Sequence, residues 1–412
     1  MSFEFISHIK VSLCFDDKML PVGRLARRER KIYFEYDRNF IKQGLEISPI
    51  KCPLKPGVCS FDPFLFEGLP GVFNDSLPDG WGRLLLDRQM RTRGILAQEL
   101  SPLDRLAHVG LTGMGALVYE PDYTDEIMDS TINIDVLAQQ VQQVLSGEAT
   151  EILTELIALN GSSAGARPKA MIGLHTNRQD IIYGTHQLND DYQPWLVKFP
   201  NFNDGVDAGA IEYVYALMAI DAGLEMPDVH LFPAQTGCGY FAVQRFDRKE
   251  NRRFHMHTVC GLLHSNFRTP SLDYDNLMAL TMILTKDIRE VEKMYRLAVF
   301  NVFAHNRDDH AKNFSYLMDR TGEWKLSPAY DLTFSSGFNG EQSTVVMGEG
   351  KHPGRDELIK LGLKATLPKT TIDAIIEQTR DSLSKWPRLA KEYGVTSSNI
   401  HFIASKITTD NI

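Results

Sequence analysis

The chain has 412 residues, 43% hydrophobic and 24% charged, with a formal net charge of -9. That length predicts more than one compact unit, and the acid excess argues against bulk nucleic-acid binding, which needs a surplus of Lys and Arg. Five scattered cysteines (Cys14, Cys52, Cys59, Cys238, Cys260) form no C-x-x-C pair, which excludes a zinc site or disulfide framework and points to a reducing cytoplasm.

The first residues lack a charged-then-apolar leader, and no apolar run reaches the ~18 residues that a membrane span needs. A soluble, cytoplasmic protein is expected. Residues 1–120 read as β-rich. Ile9 to Cys14 and Lys31 to Tyr36 alternate apolar with polar side chains, punctuated by Gly23 and Asp37-Arg-Asn39. The basic run Arg24, Arg27, Arg28, Arg30 and Lys31 reads as a solvated turn rather than a phosphate-contacting patch. Phe66 to Arg83, rich in Gly and Pro, reads as an ordered loop. A helix follows over Leu84 to Met90, then a Gly-hinged strand over Leu111 to Tyr119.

Polar, acidic Pro121 to Thr131 marks a boundary. Two amphipathic helices are expected beyond it, on Leu137, Val141, Val144, Leu145 and on Ile152, Leu153, Leu156, Ile157. Next comes Asn160-Gly-Ser-Ser-Ala-Gly-Ala-Arg-Pro-Lys169, whose small residues let backbone N–H groups approach an anion. Ser162 and Ser163 offer hydroxyls there, and Arg167 and Lys169 offer charge, although neither standard phosphate-loop fingerprint is present. Trp195-Leu-Val-Lys198-Phe-Pro200 is an apolar strand with a lysine inside it, costly to bury without an anionic partner. Glu212 sits in the first turns of the apolar helix that starts near Ala208. A strand lysine with a following-helix glutamate is the pair that kinases use to hold nucleotide phosphates. Tyr240 to Arg248 is an apolar strand running into a charged turn, where a hinge would meet adenine.

The densest chemistry lies between Phe300 and Asp331. A helical period over Ile288, Val291, Met294, Leu297 and Ala298, with Thr285 as its expected N-cap, leads into His305, Asn306, Arg307, Asp308, Asp309, His310, Lys312 and Asn313. A plain solvated turn needs neither two histidines nor a lysine. Asp308 and Asn313 stand at the D-x-x-x-x-N interval of kinase catalytic loops, where the Asp accepts a substrate proton and the Asn binds metal. Asp331 follows the Phe314 to Met318 strand at the place for a second metal-binding carboxylate. One Asp with one Asn suffices for Mg²⁺, which takes its other oxygens from phosphates and water.

The order glycine-rich loop, strand Lys, helix Glu, hinge, Asp, Asn, Asp runs through most of the chain. With Leu77-Pro-Asp-Gly, Asp104-Arg-Leu-Ala-His-Val-Gly, Ala164-Gly-Ala-Arg-Pro-Lys, Val197-Lys-Phe-Pro, Arg245-Phe-Asp-Arg, Asp309-His-Ala-Lys-Asn and Tyr330-Asp331, the sequence resembles the HipA family of bacterial serine/threonine kinases, toxins of type II toxin–antitoxin systems. The resemblance implies an α+β fold, with a β-rich amino-terminal subdomain (1–120) fused to a protein-kinase-like (PI3/4-kinase-like) core. In that core 121–248 is the smaller lobe and 249–412 the helical carboxyl-terminal lobe.

It further implies ATP and Mg²⁺ as cofactors, Asp308 as the base and Asn313 and Asp331 as metal ligands. Ser162, Ser163, Ala164, Gly165, Lys198, Glu212, Gln244, Phe246, His310 and Lys312 fall on the nucleotide side, the last two ordering the loop rather than doing chemistry. Ser162 or Ser163 is implied as an inactivating autophosphorylation site. Implied partners are a small helix-turn-helix antitoxin, operator DNA reached mainly through it, and a protein target such as an aminoacyl-tRNA synthetase, with a homodimer compatible with the antitoxin complex. Gln244 and His257 depart from the acidic residues common at those places. A small-molecule phosphotransferase and a catalytically silent co-repressor are the alternative readings.

Overall fold

The computed structural model describes residues 4–16, 18–124, 130–147, 156, 165, 167–183, 188–202, 204–250, 252–266 and 272–407. The chain is α+β, β-rich at its amino-terminal end and helical towards its carboxyl-terminal end. The chain groups into two compact units. One unit holds 1–203, 244–264 and 317–323; the other holds 204–243, 265–316 and 324–412.

In the first unit, β1 (His8–Cys14), β2 (Met19–Arg28), β3 (Lys31–Tyr36), β4 (Val58–Ser60) and β5 (Leu117–Glu120) form an antiparallel sheet in the order β4-β3-β2-β1-β5. The alternation read from sequence is the cause: Ile9, Val11 and Leu13 are buried, and Ile9 pairs with Leu25 in register. Gly23 is required, because a Cβ there would run into the Glu35 carbonyl across the sheet. The basic run falls on β2 and its hairpin with β3, turned by Glu29 and Arg30 with positive φ. Asp37 does more than punctuate, since its carboxylate accepts from the backbone N–H groups of Asn39 and Phe40 and caps the helix Arg38–Gln43. The strand expected over Leu111 to Tyr119 is shorter, because Arg245, Arg248 and Arg253 take the carbonyls of Leu111, Gly113 and Gly115.

Also in this unit, β6 (Ser130–Thr131), β7 (Lys169–His175), β8 (Ile181–Tyr183) and β9 (Tyr192–Lys198) lie antiparallel in the order β9-β7-β8-β6. The first amphipathic helix is Ile134–Ser146, capped by Asn133. Of the second expected helix only Leu156 is among the described residues.

The second unit is mainly helical. Tyr274–Thr285 and Ile288–Phe303 pack on one another, and Arg355–Lys364 and Lys369–Leu383 pack on them. Ala208–Asp221 lies against Lys369–Leu383 and Trp386–Glu392. Val291, Met294, Leu297 and Ala298 are buried as their period predicts, whereas Ile288 stays 42% exposed. Thr285 is the last residue of the preceding helix rather than a cap. Lys286 turns left-handed behind it, and Asp287 caps the new helix by accepting from Arg289 N–H. Burying side chains of this size contributes roughly 1.5–3 kcal/mol each, which lets this helix serve as a rigid base for the loop that follows.

Candidate active site

The helix Ile288–Phe303 ends at Ala304, and His305 reverses the chain with φ of +55°. A parallel bridge joins Asn306 to Ser335. Arg307 N–H donates to the Ser335 carbonyl at 3.3 Å, and Ser343 N–H donates to the Arg307 carbonyl at 3.2 Å. The polar loop is thus sewn to two later segments of the same unit.

Two successive aspartates then meet opposite environments. Asp309 is 1% exposed and accepts three hydrogen bonds, from Tyr274 Oη at 2.6 Å, Gln342 Nε2 at 3.0 Å and Thr344 N–H at 3.1 Å. Asn301 Nδ2 donates to that tyrosine oxygen, and Asn306 Nδ2 donates to Asn301 Oδ1, both at 2.9 Å. Burial pushes the Asp309 carboxyl up to about 7 against these donors. Asp308, one residue earlier, is exposed. Of the two carboxylates, Asp308 is reachable from solvent and Asp309 is not.

Asn313 lies at the end of the short turn Ala311–Asn313, begun by His310, whose ring nitrogen accepts from Lys312 N–H at 3.3 Å. Its Nδ2 donates to the Asp308 backbone carbonyl at 2.7 Å. With the amide nitrogen committed, Oδ1 remains as an oxygen donor, the kind a hard cation takes. Tyr330 Oη donates to the Lys312 carbonyl at 2.6 Å, which ties the residue before Asp331 to this loop. Asp331 itself is half-buried with φ of +57°, a conformation few side chains hold without surrounding support. Asn313 thus offers an amide oxygen and Asp331 a carboxylate, the oxygen chemistry that Mg²⁺ takes. Among the described residues no group of three or more His, Cys, Asp or Glu gathers for a metal ion.

In the first unit, Lys169 and Lys198 stand opposite each other on β7 and β9. Lys169 is buried, and Lys198 is half-buried. Gly165 has φ of +117°, and a Cβ there would collide with Lys169 Nζ. The lysine ammonium therefore lies directly against Gly165. Gly165 N–H donates to the Asp79 carboxylate, and Trp81 N–H donates to the Gly165 carbonyl at 3.3 Å. Ser162, Ser163 and Ala164 lie outside the described residues.

Gln244, at the end of the strand Tyr240–Gln244, and Phe246 are half-buried. Asp247 beside them is buried; burial pushes its carboxyl up, but Arg245 and Arg248 outweigh that and hold it well below the usual carboxylate range. Glu212 is 2% exposed in the helix Ala208–Asp221 of the second unit. The expected pair thus has Lys198 in one unit and Glu212 in the other. His257, read from sequence as a departure, is buried with Nδ1 2.6 Å from Asp75 Oδ2 and Nε2 3.0 Å from Ser48 Oγ. Sequence reasoning missed the holding role of Asp309 and the link from Asp79 to Gly165. Buried partners far along the chain create both, and neither leaves a local pattern.

Among the described residues no helix is long and apolar enough to cross a membrane. The HipA N-terminal domain family matches residues 17–120, and the HipA-like C-terminal domain family matches residues 161–386. Two Sinorhizobium fredii proteins are similar. Putative kinase Y4mE is 22% identical over 60% of this chain and 61% of its own length. Putative kinase Y4dM is 25% identical over 47% of this chain and 51% of its own. The chain thus spans between half and two thirds of these curated relatives. Among solved structures, the Shewanella oneidensis MR-1 complex of the toxin–antitoxin proteins HipA and HipB with operator DNA matches 97% of this chain. The match covers 95% of that chain, with a TM-score of 0.68 and 18% identity, a likeness of fold. With one domain family on the β-rich end and the other on the segment that holds both the lysine pair and the Asp308 loop, the chain belongs to the HipA family.

Proposed function

We propose that this protein is an ATP- and Mg²⁺-dependent serine/threonine protein kinase, the toxin of a toxin–antitoxin module acting in the cytoplasm. The observation that carries the reading is the division of labour between Asp308 and Asp309: one carboxylate exposed, its neighbour buried and holding the loop. Asp308 orients a target hydroxyl and accepts its proton as the oxygen attacks the γ-phosphorus and ADP departs. Lys198, supported by Glu212, holds the nucleotide phosphates, with Lys169 against Gly165 as a further cation. Gln244 and Phe246 border the adenine, and His310 and Lys312 shape the loop. Asn313 and Asp331 would hold Mg²⁺, which when bound would supply positive charge to offset that on the transferring group.

The division into an amino-terminal subdomain (1–120), a smaller lobe (121–248) and a helical lobe (249–412) belongs to the same proposal. So does autophosphorylation at Ser162 or Ser163, which places roughly two negative charges where ATP phosphates sit and disfavours nucleotide. The partners are a small helix-turn-helix antitoxin that carries the pair to operator DNA, and a protein target of the aminoacyl-tRNA synthetase kind. Likeness to the complex with HipB and operator DNA supports this reading.

The test is overproduction without the antitoxin, with radiolabelled ATP transfer measured in parallel. Growth arrest that Asp308→Ala relieves, together with labelled protein and a phosphate mapped to Ser162 or Ser163, is expected. Equal arrest by both forms would favour a silent co-repressor, and transfer only to small molecules would favour the other phosphotransferase reading.

A further inference from the structure

Two phenylalanines of the second unit are exposed among the described residues, and both are attached to the loop that carries Asp308. Phe338 is 79% exposed and Phe402 48%. A single apolar residue on a surface needs no explanation, but two that trace back to residues 305–307 do. On one side, the ring of Phe402, on the helix Ser397–Ala404, meets Phe334 edge to face at 5.4 Å. Phe334 in turn stacks on His305 at 5.3 Å, with 16° between the planes. His305 Nδ1 donates to the Ser335 carbonyl at 3.1 Å, and Ser335 N–H donates back to the His305 carbonyl at 3.1 Å. A ladder of rings thus runs from the surface to the third residue before Asp308.

On the other side, Phe338 stands on an arch between Ser335 and Ser343 whose two feet rest on the same loop. Ser335 bridges Asn306, Ser343 Oγ donates to the Arg307 carbonyl at 2.9 Å, and buried Gln342 reaches Asp309 at 3.0 Å. The Arg307 guanidinium props the arch, donating to the Gly340 carbonyl and, at 3.1 Å, to the Lys351 carbonyl. Gly337 turns with φ of +69°, and a Cβ there would run into the Glu341 carbonyl and the Arg307 side chain. An arch held in this way presents the Phe338 ring at a fixed place. Its own fold does not need the ring, since a polar side chain would serve an exposed turn equally.

We propose that Phe338 and Phe402 are specificity-determining contacts for a protein target, each taking an apolar side chain of the segment that presents its hydroxyl to Asp308. This deepens the kinase reading and rests on it. Position argues for the occupant. A small acceptor molecule ends at the carboxylate and has nothing to lay on either ring, whereas a polypeptide continues past it in both directions. Covering an exposed ring with an apolar side chain removes both from water, which favours the docked segment without any charge on it. Both rings are tied to the backbone around Asp308, so docking on them also fixes where the hydroxyl stands.

The test uses the full-length protein, radiolabelled ATP and a positional-scanning library of serine-centred peptides. The wild type should select apolar side chains near the serine. Phe338→Ser and Phe402→Ser should each raise KM for the best peptide about tenfold, with kcat and ATP affinity within about twofold, and Phe338→Leu should keep most of the selection. Replacing the selected apolar residue of the peptide by Ala should add little to the effect of the matching serine variant. Equal selection by wild type and Phe338→Ser overturns the proposal and leaves the kinase reading standing. A fall in kcat or ATP affinity with unchanged selection marks a structural role and overturns it too. A wild type that labels itself but no library peptide overturns the docking proposal alone, and one that labels nothing overturns both readings. Phe338→Ser, at an exposed turn, decides the matter even if Phe402→Ser folds poorly.

Discussion

Asn313 reaches back along its loop and donates from Nδ2 to the Asp308 backbone carbonyl, 2.7 Å away. That bond ties the exposed aspartate's backbone to the end of the loop and engages the amide nitrogen rather than the amide oxygen. Asp308→Ala is expected to lower phosphoryl transfer at least about 100-fold while ATP affinity stays within about twofold, because a general base acts in the transition state. Asn313→Ala should weaken both, since it removes a loop tie and an oxygen donor. Single-turnover transfer and equilibrium ATP binding on the same preparations check this. Wild-type transfer by Asp308→Ala would mean that the base is another residue.

Asp309 should behave as a structural residue. Asp309→Ala leaves Tyr274 Oη, Gln342 Nε2 and Thr344 N–H without their acceptor in a buried place. A loss of about 2–4 kcal/mol in unfolding free energy is expected, read from denaturant midpoints. Asp309→Asn, which keeps one acceptor oxygen, should lose less.

Asp331 carries two demands, a left-handed backbone and an oxygen donor. Ala at φ of +57° costs about 1 kcal/mol or more, whereas Asn tolerates that region better. Asp331→Asn is therefore expected to fold with nearly wild-type stability yet lose most of the Mg²⁺ dependence of nucleotide affinity. Calorimetric ATP titrations with and without Mg²⁺ separate the two effects. Unchanged Mg²⁺ dependence in that variant removes Asp331 from the metal site.

Acid should weaken the first unit through two histidines. Burial lowers His255 to about 3 and His264 to about 4. Between these values and the ordinary histidine value near 6.5 the unfolded chain binds more protons than the native one, so stability rises with pH across that window. Asp309 has the opposite sign. Its carboxyl is raised to about 7, so from about pH 4 to 7 the native state binds the extra proton, and stability from this group falls as pH rises. Denaturant midpoints from pH 5 to 8 for the wild type, His255→Gln and Asp309→Asn should show the first variant flattening the acid limb. The second should flatten the neutral one.

The periodic elements were legible in the chain alone. Alternation over Ile9 to Leu13 and the helical period from Val291 to Ala298 encode which face is buried, because strand and helix geometry repeat over a few residues. The D-x-x-x-x-N interval was legible for the same reason, since Asp308 and Asn313 meet within one loop. What the tertiary structure decided was the fate of neighbours that look alike in sequence. Asp308 and Asp309 differ in exposure because Tyr274 and Thr344, each 35 positions away, close over one of them. Gly165 is gripped by Asp79, 86 positions earlier. Burial and hydrogen-bond satisfaction belong to whatever the fold brings alongside a residue, and no local pattern carries that information.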